Sequence, residues 1–267
     1  MNITIGKPYA VSEKGGRLNN EDSIYPLPET ITSGQKLFLV CDGVGGAEKG
    51  EIASYLACES FQTYLSAFQD GDTTEDLVKK ALQYTEARFD DYIALHPAAK
   101  GMATTLTMLY TGTKGVVIAH VGDSRIYQFR EGVIVYQTED HSLVNSLFKL
   151  GKISKDEVKT HPQRNVILRA IQGADHPTEA DVIVLDDVQA GDYFFMCTDG
   201  VLEHYTDELL AAVFAKYHDP EEIKDAIMDT CYGRTRDNFS FYIIPVNNVQ
   251  ESQSVKQNIL SFLYSFI

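Results

Sequence analysis

The amino-acid sequence predicts an α+β protein, in which helices and antiparallel strands occupy separate stretches of the chain. Two long helices with apolar stripes follow an early hydrophobic strand, and residues 104–137 then read as short strands joined by tight turns. A doubly wound protein would instead alternate strands and helices regularly. With 267 residues, 44% of them hydrophobic, the chain can bury a full core.

Composition excludes some functions and favours others. Asp and Glu outnumber Lys and Arg by 38 to 23, for a formal net charge of −15. A nucleic-acid-binding protein needs a basic face, so we expect no nucleic-acid partner. The four cysteines lack CxxC spacing and are interpreted as buried free thiols. The N-terminus lacks the apolar core of a signal peptide, and no run reaches the ~20 apolar residues of a membrane span. We therefore expect a cytoplasmic protein.

The first residues predict an edge strand and then a charged turn. Residues 2–11 alternate weakly, and the segment GGRLNNEDSIY that follows is polar. This turn carries Arg17, Glu21 and Asp22. Taken alone, it could be only a solvated loop.

Two apolar runs end in an aspartate that is followed by glycine. Residues 37–41 predict a buried strand that ends at Asp42, with glycines at 43, 45 and 46, and residues 193–198 lead into Asp199 in the same way. A buried strand holds such a carboxylate firmly at the sheet edge, and glycine lets the backbone approach a ligand closely. The two strands resemble two walls of a metal site.

Two helices are predicted after the first of these strands. Residues 48–68 and residues 74–95 both carry apolar side chains at 3.6-residue spacing. Thr73 and Asp76 resemble a capping box at the start of the second helix, and His96-Pro97 ends it.

Strands dominate the next part of the chain. They are expected at residues 104–111, 116–121, 126–130 and 133–137, with a turn at 112–115 and a hairpin turn at Glu131-Gly132. The polar, Lys- and Arg-rich residues 141–173, here called the flap, predict short helices and loops inserted into the strand series. Later elements are strands at 181–185 and 193–198, helices at 207–216 and 220–231, and a last strand at 239–245.

The chain ends in an apolar tail, residues 247–267. Its last nine residues, ILSFLYSFI, are too few to span a bilayer as a helix. We expect a docked helix or strand here, rather than a contact with a membrane or partner.

Five aspartates share a position at, or beside, a predicted strand end: Asp22, Asp42, Asp123, Asp199 and Asp237. Each one alone could be a turn residue. Together, carboxylates without His or Cys favour Mg²⁺ or Mn²⁺ over Zn²⁺. Close carboxylates repel each other unless a cation neutralises them, and two such ions can clamp a phosphoryl oxygen.

The same residues carry a resemblance to a known family. Eight segments resemble, in order, motifs of the metal-dependent Ser/Thr protein phosphatases of the PP2C (PPM) family in its compact bacterial form: NNED (19–22), DGVGG (42–46), GMATTL (101–106), VGDSR (121–125), TEDHS (138–142), HPQRNVILRAIQG (161–173), TDG (198–200) and RDNFS (236–240). The resemblance implies a four-layer α-β-β-α sandwich of two antiparallel sheets flanked by helices. It also implies that residues 1–246 form the catalytic domain, with the flap inserted in it.

The resemblance implies a site for two Mn²⁺ or Mg²⁺ ions. Asp42 matches the carboxylate that bridges the two ions, and the Gly43 carbonyl completes the first site. Asp199 and Asp237 match ligands of the second ion. The implied mechanism is in-line displacement of the serine or threonine oxygen by a hydroxide that bridges the ions.

Other positions match supporting roles. Glu21 and Asp22 match acidic residues that orient metal-bound waters. A third, weaker ion would be held partly by Asp123 and Asp199, with a flap contact at Asn165. Arg17 matches the arginine that grips the substrate phosphate, a role that suits a guanidinium fork.

One position departs from the eukaryotic pattern DGHxG. Val44 stands where those relatives place a histidine that is proposed to protonate the leaving alkoxide. The proton must then have another source, and we expect His141, in TEDHS, to pair locally rather than to act as the acid. No cysteine lies in a CxxxxxR cradle, which argues against a cysteine-dependent phosphatase.

The implied partners are phosphoserine and phosphothreonine proteins, including a bacterial-type Ser/Thr kinase and its substrates, and the expected state is a monomer. The alternative is a catalytically inert pseudophosphatase that binds phosphoproteins as a regulator. Retention of Arg17, Asp42, Asp199 and Asp237 argues against this alternative.

Overall fold

The computed structural model describes residues 1–32, 34–44, 49–68 and 73–250. The strands are β1 (Asn2–Ile5), β2 (Tyr9–Glu13), β3 (Asp22–Tyr25), β4 (Leu37–Val44), β5 (Ala103–Thr104), β6 (Leu106–Thr111), β7 (Val116–Val121), β8 (Arg125–Arg130), β9 (Val133–Gln137), β10 (Asp181–Leu185), β11 (Tyr193–Cys197) and β12 (Phe239–Gln250). The helices are α1 (Lys49–Ser66), α2 (Glu75–Leu95), α3 (Leu143–Lys149), α4 (Lys155–Thr160), α5 (Asp199–Leu202), α6 (Asp207–Lys216) and α7 (Pro220–Cys231).

The strands form two antiparallel sheets. One has the order β1-β12-β11-β8-β9, with β2 also paired to β12. The other has the order β10-β7-β6-β4-β3, with β5 paired to β4. Every pairing among the described strands is antiparallel, so the predicted α+β class is confirmed.

The alternation of side chains in β4 shows how the layers are built. Leu37, Leu39 and Cys41 pack with residues of α1 and α2, whereas Phe38 and Val40 pack with residues of the other sheet. Successive side chains of a strand point to opposite faces, so a strand covered on both sides reads as a continuous apolar run. Helices α6 and α7 cover the outer face of the β12 sheet. The four-layer α-β-β-α arrangement is therefore confirmed.

Several element boundaries differ from the sequence-based expectations. Residues 2–11 form two strands rather than one, because β1 and β2 pair with opposite halves of β12. The last strand ends at Gln250, beyond the expected residue 245, because its extension pairs with β1. Thr74, rather than Thr73, caps α2, with its hydroxyl accepting a hydrogen bond from the Leu77 amide.

The charged turn near the N-terminus is only partly a loop. Its last residues form β3, in which Asp22 and Ile24 are buried. The flap contains α3 and α4, is closed on itself by an isolated bridge between Ser142 and Ile167, and returns to β5 through a bridge between Ile171 and Thr104.

Other expectations concern cysteines, the glycine run and the tail. All four cysteines are free and buried, as predicted. No helix in the described ranges is long and apolar enough to cross a membrane. Gly45 and Gly46, and residues 251–267 of the tail, lie outside the described residues.

Candidate active site

Strand direction brings the five aspartates to one end of the two sheets. Asp42 lies near the end of β4, Asp123 follows β7, and Asp199 follows β11, while Asp22 opens β3 and Asp237 precedes β12. Strands β4 and β7 run in the same direction, since each is antiparallel to β6. Strands β3 and β12 run opposite to their partners β4 and β11, so their first residues meet the last residues of those partners.

Asp22 and Asp42 face each other across adjacent strands. The Thr198 hydroxyl donates to Asp22 Oδ2 over 3.0 Å, and the Thr105 hydroxyl accepts from the Asp42 amide over 2.9 Å. Oδ1 of Asp22 is buried and has no hydrogen-bond partner among the described residues. A buried carboxylate oxygen without a partner is costly in a folded protein, and a bound cation or water would satisfy it.

Asp123, like Asp22, has a buried carboxylate oxygen without a partner among the described residues. Its side chain is buried, and its Oδ1 also lacks a partner within the described part of the chain. Two such orphaned oxygens in one carboxylate cluster fit the requirements of hard divalent cations, which take oxygen ligands.

Burial and mutual repulsion disfavour ionisation of four of these carboxyl groups, Asp22, Asp42, Asp123 and Asp199. Desolvation, with the charges of Asp199 and Asp237 adding to it, raises the pKa of Asp22 to about 8. Desolvation and then the charge of Asp199 raise the pKa of Asp123 to about 7. The pKa of Asp199 rises to about 6 through desolvation and the charge of Asp237, and that of Asp42 rises well above its usual value. A cation would remove this penalty and keep the carboxylates ionised.

Two glycines let helix α1 approach β4 at the cluster. The Gly43 amide donates to the Glu21 carbonyl over 3.0 Å. A Cβ on Gly43 would lie 2.1 Å from the Gly50 carbonyl oxygen, and a Cβ on Gly50 would lie 2.7 Å from Glu21 Oε2. Neither position can carry a side chain without moving the backbone that holds Asp42.

Arg17 stands over the cluster at its solvent side. Its Nη2 contacts Asp237 Oδ2 at 2.7 Å, and its side chain remains 59% exposed. Gly15, just before it, has a φ of +57°, and a Cβ there would lie 1.9 Å from the Asp237 carbonyl oxygen. The loop can therefore place Arg17 beside Asp237 only with glycine at position 15.

Asn238 fastens this loop to the start of β12. Its Nδ2 donates to the Lys14 and Asn19 carbonyls, each over 2.8 Å, and its Oδ1 accepts from the Glu21 amide. Sequence reasoning did not single out Asn238, Thr198 or Gly50. The only local signal was their position beside an aspartate or at the start of a helix.

Most of the predicted site residues line one cavity of about 520 Å³. Its walls include Arg17, Glu21, Asp42, Gly43, Val44, Asp123, Asn165, Asp199 and Asp237. Asp22 is the exception, since it is buried behind Asp42 and is absent from the cavity wall. The flap residue Asn165 is thus brought to the carboxylates, from far away in sequence.

His141 lies outside this cavity and pairs locally. Its Nδ1 accepts from the Gly122 amide over 3.2 Å, and its Nε2 lies 3.2 Å from Asp181 Oδ2. Its ring stacks on that of His120 at 4.5 Å, and burial lowers its pKa. Asp181 is also bound by Arg169 of the flap at 2.7 Å. These contacts agree with the expected structural role of His141.

Known proteins share this fold and much of this sequence. A family model described as protein phosphatase 2C matches residues 14–230. The serine/threonine protein phosphatase PstP of Mycobacterium tuberculosis is 32% identical over 213 residues, which are 78% of this chain but only 39% of PstP. The serine/threonine phosphatase stp of Listeria monocytogenes is 32% identical over 192 residues, 71% of each chain.

A solved structure extends the comparison to the fold. The catalytic domain of PstP, in complex with two manganese ions, superposes with a TM-score of 0.78 at 27% identity, covering 92% of this chain and 100% of that one. The family match covers most of the chain, and the sheets and helices agree with it. This chain belongs to the protein phosphatase 2C family.

Proposed function

We propose that this protein hydrolyses phosphoserine and phosphothreonine in proteins, with two Mn²⁺ or Mg²⁺ ions as cofactors. The observation that carries the proposal is the cluster of carboxylates with orphaned buried oxygens and raised pKa values, whose members other than Asp22 line an open cavity. The two manganese ions in the related PstP structure support the choice of cofactor.

The ions would be held chiefly by three aspartates. Asp42, on the rigid strand β4, would contact both ions, with the Gly43 carbonyl completing the first site. Asp199 and Asp237, which come from the other sheet, would hold the second ion. Two bound divalent ions would lower the pKa of a water between them and neutralise charge on the phosphoryl group.

Neighbouring residues would tune this centre. Glu21, on the cavity wall, would orient water bound to the ions. Asp22, which pairs with Asp42 across adjacent strands and does not line the cavity, would support the same water positions from the protein interior. Asp123 and Asn165 would hold a third, weaker ion on the flap side of the cavity. The apolar side chain of Val44, 36% exposed on the same wall, can donate no proton to the leaving oxygen.

The proposed substrates are proteins phosphorylated by a bacterial-type Ser/Thr kinase, including the kinase itself, and the proposed state is a monomer. The relatives' names, serine/threonine phosphatase, support phosphoserine and phosphothreonine as the groups removed. The four buried free cysteines fit the reducing environment of the cytoplasm.

Turnover of p-nitrophenyl phosphate and of a phosphothreonine peptide tests the proposal. We expect hydrolysis with Mn²⁺, none with EDTA, and a loss of at least about 100-fold in kcat for Asp199→Asn, which removes a metal ligand. Metal-independent turnover, or none at all in a folded protein, would overturn it. Peptide binding without turnover would indicate the inert regulator instead.

Replacing Arg17 tests the phosphate-binding role. Its Nη2 pairs with Asp237, and its other side-chain donors have no hydrogen-bond partner in the described ranges, so they are free for a phosphate. We expect Arg17→Ala to lower kcat/KM by about 10- to 100-fold. Arg17→Lys should retain only part of the wild-type kcat/KM, since lysine lacks the planar guanidinium that binds two phosphate oxygens at once. Steady-state kinetics measure both.

Arg88→Ala is the matched control for Arg17. Arg88 is also a partly exposed arginine paired with a carboxylate, Glu59, but it lies on α2, in the helical layer outside the β4 sheet. Its replacement should leave kcat/KM within about twofold, as for most surface positions. An Arg17→Ala enzyme as active as Arg88→Ala would contradict the phosphate-binding role.

A further inference from the structure

A second, larger cavity opens next to the carboxylate cluster. It has a volume of about 880 Å³ and shares Arg17, Asp123, Asn165, Asp199 and Asp237 with the first. Its other lining residues come mainly from the flap, with α3 and α4, and from residues 202–208, together with Arg125, Gln137, Asp140 and Arg236. The space exceeds what one phosphorylated side chain fills and has the size of a typical ligand pocket.

Apolar side chains also line this cavity. Val144, Phe148 and Val158 contribute from the flap, and Leu202 contributes from outside it. Phe148 is 42% exposed. Such a mixed surface suits an extended polypeptide, whose backbone needs polar partners and whose side chains need apolar contacts.

The flap has a charge opposite to that of the protein as a whole. Residues 141–173 contain six Lys and Arg and two Asp and Glu, a net charge of +4, whereas the whole chain carries −15. The chain as a whole therefore repels acidic ligands, while the flap attracts them locally. Over distances beyond about 8–10 Å such fields are screened at physiological salt, so local charges decide contacts in the cavity.

Most cations that line the cavity are already paired. Arg125 contacts Asp140 at 2.7 Å, Lys155 contacts Glu208 at 3.2 Å, and Arg236 contacts Glu203 at 3.5 Å. Lys159 and Arg164 are exposed on the cavity wall and form no ion pair with any described residue. These two flap side chains are free to bind an anion from outside.

We propose that Lys159 and Arg164 form a subsite for a second anionic group on the same substrate polypeptide that presents the phosphoserine or phosphothreonine. The group is a carboxylate side chain or a second phosphate, since both offer the oxygens that a guanidinium and an ammonium bind. This inference rests on the proposed phosphatase function and adds a preference for acidic or multiply phosphorylated segments.

A peptide series tests the subsite. Each peptide carries one phosphothreonine in a neutral background, with Gln, Glu or a second phosphothreonine placed at one flanking position at a time. We expect the best Glu peptide to exceed its Gln partner by about 3- to 10-fold in kcat/KM, with the doubly phosphorylated peptide preferred further. The preference should shrink as the salt concentration rises.

The variants Lys159→Gln and Arg164→Gln, combined, should bring the ratio between Glu and Gln peptides to within about twofold of unity. The ratio is taken within each enzyme, so a general change in activity cancels. Lys152→Gln is the matched control, because Lys152 is an exposed flap lysine without an ion pair among the described residues and lies off the cavity wall. It should keep the wild-type ratio.

The outcomes separate this proposal from the proposed function. Wild-type enzyme that hydrolyses p-nitrophenyl phosphate and the neutral peptide, but prefers neither Glu nor a second phosphothreonine over Gln at any position, overturns the subsite alone. A preference that survives in the double variant also overturns it. Absence of all turnover with Mn²⁺ overturns both. A preference for the second phosphate without one for Glu narrows the anion to phosphate and supports the subsite.

Discussion

Replacing Asp42 by asparagine is expected to abolish turnover while making the metal-free protein more stable. Asp42 is the carboxylate proposed to contact both ions, so its loss should lower kcat by at least about 10³-fold, or about 4 kcal/mol of transition-state stabilisation. Desolvation and the charges of Asp22, Asp199 and Asp123 raise its pKa in the folded state. Asparagine has no ionisable group, so it removes this cost of burying Asp42 among other carboxylates.

The two effects of Asp42→Asn are opposite in sign, which makes the result hard to confuse with misfolding. We expect the Tm in EDTA to rise by about 2–4 °C, as about 1 kcal/mol does in a protein of this size, and the stabilisation by added Mn²⁺ to disappear. Scanning calorimetry and steady-state kinetics measure the two quantities. Asp225→Asn, at an exposed position on α7 beside Lys224, is the control and should change neither.

A variant that loses activity and also melts earlier in EDTA would contradict this account of the site. It would mean that the Asp42 side chain stabilises the metal-free fold, for example at its pairing position opposite Asp22, whereas we expect it to destabilise that fold. Strained or repelling groups retained at a site are expected where function requires them.

The carboxylate end of the sheets could be predicted from sequence because its signals are local. Asp42 and Asp199 each end an apolar run, and such runs predict buried strands whatever lies elsewhere in the chain. Antiparallel pairing then brings strand ends and strand starts together. The α+β class followed from similar local signals, since the stripes of α1 and α2 and the turns of the strand-rich block are readable in short windows.

The supporting residues could not be predicted because their roles depend on distant partners. Asn238 bonds the carbonyl of Asn19, 219 positions away in sequence, and Thr198 bonds Asp22 across 176 positions. An Asn or Thr beside an aspartate is common in turns and gives no such information. Strand β3 could not be predicted for the same reason. It begins at Asp22, and a charged residue is not expected in a buried strand unless distant residues form a site around it.

The metal-free protein is expected to lose stability as the pH rises from 5 to 8. The pKa of Asp199 is raised from 3.8 to about 6, that of Asp123 to about 7, and that of Asp22 to about 8. Between the unfolded and folded pKa values the folded state binds more protons, so its stability falls with rising pH. The pKa of His141 is lowered and acts in the opposite direction, but it is one group against several.

We expect the Tm in EDTA to fall by at least about 5–10 °C over this range, because a single carboxyl group with a folded-state pKa of about 7 already costs roughly 2–3 kcal/mol of stability between pH 5 and 8. Asp22→Asn removes the carboxyl group with the highest of these three pKa values and should flatten the dependence of Tm on pH above pH 7. Calorimetry at several pH values, with the variant measured beside the wild type, isolates the contribution of this carboxyl group.

Manganese should counteract the loss of stability at high pH, because the cation binds the ionised carboxylates and competes with protons for them. The rise in Tm on adding Mn²⁺ is therefore expected to be larger at pH 8 than at pH 5. A Tm in EDTA that stays level or climbs from pH 5 to 8 would show that folding does not raise the pKa values of these carboxyl groups. A larger manganese effect at pH 5 would show that the ion binds elsewhere, since protons would then not compete with it at this cluster.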